Sequence, residues 1–288
     1  MATAEAVVMT PAPRVGRRRV AARSHGRWDW VAVGLFGLIT LVAIAAPLLA
    51  PHGPLDPAGM PTSAPGSDGY LLGTDSVGRD ILSRILYGLR SSWLAALAVV
   101  AVGLFVGGLV GLVAGARGGW VDTLLMRITD GFLALPAPIV AIAVVAGLGP
   151  GLFHTLLAVS IVWWPFYARI VRGEVRTLAA RPHVEAARLA GTGGVRIALR
   201  HLLPGAVPTA LVTASQDIGT LVLTLAGLSF LGLGQSAPAP ELGADTARNL
   251  SYLLQDWWIP VMPGIAVAVL SLIANVAGDG ARNLLFGR

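Results

Sequence analysis

The chain has 288 residues, 55% of them hydrophobic and only 12% charged, with a mean hydropathy of +0.72. Soluble globular chains carry about 25% charged residues, so the composition points away from an ordinary cytosolic enzyme. Cysteine is absent, which excludes disulfides, thiolate metal sites and cysteine nucleophiles, and all 21 basic residues are arginine, so there is neither a P-loop lysine nor a Schiff-base lysine.

A helix needs about 20 apolar residues to cross about 30 Å of hydrocarbon. Residues 1–27 are small and polar, with Pro11, Pro13 and the run Arg17-Arg18-Arg19, and read as a disordered cytoplasmic tail. Residues 28–50 follow as the first transmembrane helix. It reads as an uncleaved signal anchor, because the apolar run is long and no small-x-small cleavage site follows. Residues 51–90 read as an extracytoplasmic segment, rich in Pro, Gly and Ser up to 72. After it comes Gly73-Thr-Asp-Ser-Val-Gly-Arg-Asp80. Thr74 or Asp75 is expected to cap a short amphipathic helix. Its apolar stripe (Val77, Ile81, Leu82, Ile85, Leu86, Leu89) lies opposite Arg79, Asp80, Ser83 and Arg84, the pattern of a helix lying in the outer interface. Such a helix would anchor the next span or touch an external partner. Asp75 and Asp80 have no evident third ligand, so no metal site is expected.

Residues 91–288 read as a five-helix core. The second span, 91–116, carries Gly103, Gly107, Gly111 and Gly115, each four residues after the last, and so presents a bare backbone stripe for close helix packing. Sequence alone leaves open whether the neighbouring helix belongs to this chain. Residues 131–168 lack formal charge and are divided into a third and a fourth span by Leu148-Gly-Pro-Gly151; Pro136 and Pro138 are expected to kink the third. Asp130 stands at its cytoplasmic start. The fifth span, 204–234, holds one charge, Asp217, just after Gln216, and the sixth covers 257–278. A carboxylate at bilayer depth should face protein or water, so Asp217 serves either a pathway or a buried structural hydrogen bond.

Six crossings leave seventeen of the arginines in the N-tail, 117–130, 169–203 and the C-tail. Only Arg79, Arg84, Arg90 and Arg248 fall on the other side. By the positive-inside rule both termini are cytoplasmic. The net charge of +6 then reflects topology and anionic lipid, and no aromatic-interleaved basic patch suggests nucleic-acid binding.

The richest cytoplasmic stretch is 178–204. Pro182 suits the first turn of a short helix, Glu185 its positive end, and Gly191 a left-handed stop. Thr192 is expected to cap a second short helix with Ile197 and Leu199, and Pro204 to open the fifth span. The result is a helix–glycine–helix projecting from the membrane, with the small residues Ala186, Ala187 and Ala190 open to close approach.

Glu185-Ala186-Ala187, Gly191 and Leu203-Pro204 resemble the EAA loop of ABC-importer permease subunits. His201 stands where the general form has isoleucine, as is common in peptide-type permeases. Gly73–Asp80, Gly118-Gly-Trp-Val-Asp122, Leu228-Ser-Phe-Leu-Gly-Leu-Gly234 and Gly278-Asp-Gly280 resemble the dipeptide/oligopeptide/nickel branch, C-type subunit. Gly193-Gly194 departs from the pattern and should loosen the second short helix. The resemblance implies an all-α, six-helix type I importer permease in a bacterial inner membrane. Its partners would be a homologous permease subunit, two ATPase subunits or domains and an extracytoplasmic solute-binding protein, with ATP and Mg held by the ATPases and no cofactor, metal or catalytic residue in this chain. ATPase docking would fall on Glu185, Ala186, Ala187, Arg188 and Gly191, and the candidates for the substrate pathway are Asp217 and Gln216. The cargo would be short peptides, nickel or a related small solute.

Three other readings are weighed. An ion-coupled secondary transporter would use Asp217 as its coupling carboxylate. A membrane-embedded hydrolase has little support, because His25, His52, His154, His183 and His201 are scattered and no His-Glu-x-x-His pair exists. A structural scaffold does not account for the exposed EAA loop.

Overall fold

The computed structural model describes residues 26–67 and 69–286, so all but the end of the expected N-terminal tail lies outside the described residues. The described chain is helical, with α1 (Arg27–Leu49), α2 (Ile81–Arg117), α3 (Gly119–Leu133), α4 (Ala137–Leu148) and α5 (Leu152–Ala179) in the first part. Then come α6 (Pro182–Leu189), α7 (Gly194–Ile197), α8 (Leu203–Phe230), α9 (Leu242–Arg248) and α10 (Trp258–Phe286). Five stretches are long and apolar enough to span a membrane, and six when α3 and α4 count as one broken crossing bent by 81°.

Four details differ from the sequence expectations. The interfacial helix is no separate element: α2 runs unbroken from Ile81 through the expected boundary at 90 to Arg117. Its cap is Asp80, whose carboxylate accepts from the amides of Leu82 (3.3 Å) and Ser83 (3.1 Å), in place of Thr74 or Asp75. The polar side of this segment faces inward, with Asp80, Ser83 and Arg84 all buried. Amphipathic spacing located the helix and inverted it, because the polar groups find partners in a folded outer loop. Third, Pro136 and Pro138 do not kink a helix interior; Pro136 caps α4 and Pro138 lies in its first turn, so they mark a break between two helices. Finally, the expected loop at 117–130 is mostly α3, tied to α5 by the buried Asp122, which accepts from Arg172 Nε and, at 2.7 Å, from its Nη2.

The core is built on close approach of α2 and α5. A Cβ on Gly107 would meet Tyr167 Cβ at 2.8 Å and Ala168 N at 2.9 Å. One on Gly103 would meet the Tyr167 ring at 2.8 Å, and one on Gly115 would meet Val175 Cγ1 at 2.7 Å. The stripe therefore faces a helix of the same chain. Trp93, Val99, Tyr167, Leu221, Val222 and Leu270 fill the space between α2, α5, α8 and α10. α1 packs on α10 and α2 through Ala32, Ile39, Ala43 and Ala46, one face at helical spacing, and leaves Leu38, Leu41 and Leu48 outward. Large apolar side chains line the outside of every span, as expected for a surface solvated by lipid.

Candidate functional site

At the arginine-rich end, two residues link α5 to α6. Pro182 opens α6, where its missing N–H costs nothing, and Glu185 sits in the first turn at the positive end of the helix dipole. The helix ends in a Schellman motif: Gly191, at φ 77°, donates to Arg188 O (2.9 Å) and Thr192 donates to Ala187 O (3.0 Å). Thr192 is thus part of the stop, and Gly193 takes the cap position of α7 that Thr192 was expected to fill.

The second short helix, α7, is not separate from the fifth span. A π-helical turn over Ala198–Leu202 joins it to α8, with Leu203 N donating to Ala198 O. Pro204 has no N–H to return to the Arg200 carbonyl, and a wider turn just before it accommodates that missing donor. The segment that Gly193-Gly194 was expected to loosen is helical.

Glu185, Ala186, Arg188 and Leu189 are exposed, Leu189 to 85%, while Ala187 is half-buried. Between them Val184 is fully buried, in one cluster with Leu178 of α5, Ile197 of α7 and Leu202. The knob thus combines an exposed face with a single apolar root packed against the end of α5 and the α7–π-turn segment that runs into α8. Val184 was missed in the sequence reading, although its place in a stretch otherwise small or polar was visible.

Asp217 lies on α8, about 20 Å from the outer end of that helix at 1.5 Å per residue. Its Oδ2 accepts from Trp163 Nε1 and, at 2.9 Å, from Tyr167 OH, both on α5. It edges a cavity of about 230 Å³ walled by Leu133, Leu135, Ala137, Val162, Trp163 and Phe166, so the break between α3 and α4 forms one side. Thr213, Asp217, Thr220 and Thr224 recur at helical spacing along the same side of α8, Thr220 exposed and the others half-buried. Gln216 points elsewhere: its Nε2 donates to Asp279 Oδ1 at 3.2 Å on α10. The two candidate pathway residues are therefore not brought together. The threonines went unremarked in the sequence, although their register with Asp217 could have been found there.

At the opposite end a folded cap joins distant segments. Arg84 donates from Nη2 to Asp245 Oδ1 (2.6 Å) and from Nε to Oδ2 (3.1 Å), and from Nη1 to the carbonyls of Pro54 (3.0 Å) and Pro238 (3.3 Å). Asp75 orders its own turn by accepting from the Arg79 amide (2.9 Å) and Arg79 Nε (2.7 Å). Glu241 accepts from Ser229 Oγ and from the Gln235 amide (2.7 Å), and burial pushes its carboxyl above the usual glutamate range. No cluster among the described residues has the make-up of a metal site.

Residues 107–286, more than half of the chain, match the family described as binding-protein-dependent transport system inner membrane component. This chain belongs to that family. The permease is 39% identical over 251 residues to the "probable D,D-dipeptide transport system permease protein" of Escherichia coli, covering 86% of this chain and 83% of the relative. It is 39% identical over 254 residues to the di/tripeptide transport system permease protein of Pseudomonas aeruginosa, covering 86% and 84%. Identity to the glutathione transport system permease protein of Pectobacterium atrosepticum is 41% over 258 residues, covering 88% and 85%. Among solved structures, the inward-facing MetNI methionine ABC transporter shares the fold at a TM-score of 0.58 and 20% identity, over 71% of this chain and 97% of that one. An amino acid ABC transporter matches at 0.54 and 16%, over 69% and 92%.

The permease is therefore a multi-pass membrane subunit of an importer, with the all-α fold of that class, and not an enzyme. Membership of an ABC-importer family places ATPase partners beside it. The hydrolase and scaffold readings fall away.

Proposed function

We propose that this permease forms, with a homologous second permease, the path by which an ATP-driven importer of a bacterial inner membrane takes in short peptides. An extracytoplasmic binding protein delivers the cargo from the capped side. Two ATPase subunits or domains, carrying ATP and Mg, seat on α6 from the other. Support for the peptide cargo comes from the names of the relatives at 39% identity. The single observation carrying the mechanism is the construction of α6: exposed Glu185, Ala186, Arg188 and Leu189 over a fully buried Val184. A force on the exposed face reaches α5 through Leu178 and α8 through Ile197 and Leu202, since close-packed interiors transmit displacement. Such a knob shifts the transport cycle only by the difference between its ATPase contacts in the two states.

Ala186→Trp tests docking. The side chain is exposed, so the variant should insert and fold normally while losing co-purification with the ATPases and uptake. Normal uptake would remove α6 from the coupling role.

For the pathway we assign the Thr213–Asp217–Thr220–Thr224 face of α8, a polar stripe that includes the one charge of this spanning helix. Thr220→Trp should block uptake while leaving assembly with the ATPases intact. The ion-coupled alternative makes the opposite prediction on energetics: uptake surviving collapsed ion gradients with ATP present excludes it.

A further inference from the structure

Asp217 and Glu241 are the acidic groups set into the protein without an ion pair among the described residues, and Glu241 has both oxygens bonded, Oε1 by Ser229 and Oε2 by the Gln235 amide. Asp122 is paired with Arg172, Asp245 with Arg84 and Asp75 with Arg79. Asp217 takes part in none of the ion pairs among the described residues. Its two donors, the Trp163 indole and the Tyr167 hydroxyl, are neutral and both reach Oδ2. They fix the direction of the carboxylate without cancelling its charge. Oδ1 accepts no hydrogen bond among the described residues, and Asp217 contributes to the wall of the cavity.

Two aromatic side chains, Trp163 and Phe166, share that wall with four aliphatic ones. A negative oxygen beside aromatic rings is the chemistry that holds an organic cation, through a charge-assisted hydrogen bond and attraction to the π faces. A hydrated metal ion is poorly served, because it demands several oxygen ligands and Leu133, Leu135, Ala137 and Val162 offer none. An anionic group is repelled outright. At about 230 Å³ the cavity has room for a head group of the size of one residue.

We propose that Asp217, Trp163 and Phe166 form a station for the primary ammonium group of the transported solute, which for a short peptide is its free amino terminus. The inference rests on the pathway reading of α8 and adds a chemical requirement to it. The station sets a preference for cargo with an unblocked amine and orients that end toward the α3–α4 break.

The probe is glycinamide, cationic at neutral pH, against neutral N-acetylglycinamide, titrated into the detergent-purified assembly of the permease with its partner subunits. The thermal unfolding midpoint is read at each concentration. Glycinamide alone should give a saturable rise, weakened about tenfold or more in Asp217→Asn, the loss expected when a charge-assisted contact goes, and partly kept in Asp217→Glu. Should Asp217→Asn fail to assemble, Asp217→Glu and Trp163→Phe carry the comparison, each expected to weaken the rise for glycinamide alone. No rise in the wild type, equal rises for the two compounds, or a rise indifferent to these substitutions overturns the station. The pathway reading is judged separately: if Thr220→Trp blocks uptake while glycinamide shows no dependence on Asp217, only the ammonium assignment fails.

Discussion

Single side chains set the tolerances of this permease. Gly107 and Gly108 are neighbours on α2 with opposite surroundings: a Cβ on the first meets Tyr167 and the Ala168 amide, while one on the second meets nothing within 4 Å. Gly107→Ala should lower stability by about 1–3 kcal/mol through overpacking against main chain that cannot move aside. Gly108→Ala should be neutral or gain up to about 1 kcal/mol, because alanine is the better helix former. Thermal unfolding of the two purified variants side by side checks both. The four-residue period of the glycines was legible from sequence, and it fixed that a close contact exists. The identity of the facing helix was not, since small residues announce proximity and not a partner.

Glu241 provides a test by pH at the same scale. Burial raises its carboxyl, with the Ser229 hydroxyl, the Gln235 amide and Arg248 opposing the rise and Asp245 reinforcing it. Between the ordinary glutamate value and the raised one, the folded state holds a proton that the unfolded state has lost. Stability from this group is therefore greatest in acid and declines as pH climbs through that window. Glu241→Gln imitates the protonated form, so the midpoint difference between variant and wild type should shrink as pH falls. A constant difference across pH would show that Glu241 contributes nothing to the slope.

Among the elements, α6 is the clearest case of partial legibility. Pro182, Glu185 and Gly191 gave the start, the polarity and the stop of the helix, since each acts through local backbone chemistry. The role of Val184 depends on Leu178, Ile197 and Leu202 converging on it, which no local pattern states. Val184→Ala should cost about 1–3 kcal/mol, in the range for truncating a buried aliphatic side chain, and uncouple ATP hydrolysis from uptake more than it reduces ATPase binding. The ratio of solute imported to ATP consumed in reconstituted vesicles is the measurement. The Thr192 expectation failed for a related reason: a threonine after the left-handed glycine is used by the Schellman stop, and the next helix starts with glycine in the cap position.

At the scale of the whole molecule, the arrangement is apolar outside with polar networks at both ends, and the two ends were unequally readable. Arginine counting alone orients the bundle. The outer cap could not be read, because Arg84 reaches Pro54, Pro238 and Asp245, partners 30, 154 and 161 positions away. Assigned by periodicity to a water-facing stripe, Arg84 is in fact 5% exposed. Arg84→Leu takes both guanidinium hydrogen bonds from the buried Asp245 carboxylate and leaves it only Arg248 at 3.6 Å, and should cost up to about 3–5 kcal/mol, the usual penalty for breaking a buried pair. The double substitution Arg84→Leu with Asp245→Asn should recover part of that loss, which a thermal-unfolding cycle would show. The break at Ala134–Pro136 was equally hidden: two prolines announce a disturbance, but not whether a helix bends or stops.

The glycine ladder has a mechanical corollary. At Gly107 and Gly111 the α2 backbone lies against main-chain atoms of α5 with no side chain between them to deform, which favours the two helices moving as one strut. α6 is attached to the cytoplasmic foot of that strut through two residues. If the ATPases seat on α6 as proposed, a stroke delivered there would swing the whole strut, and flexing would fall to less tightly joined margins such as the α3–α4 break beside Asp217.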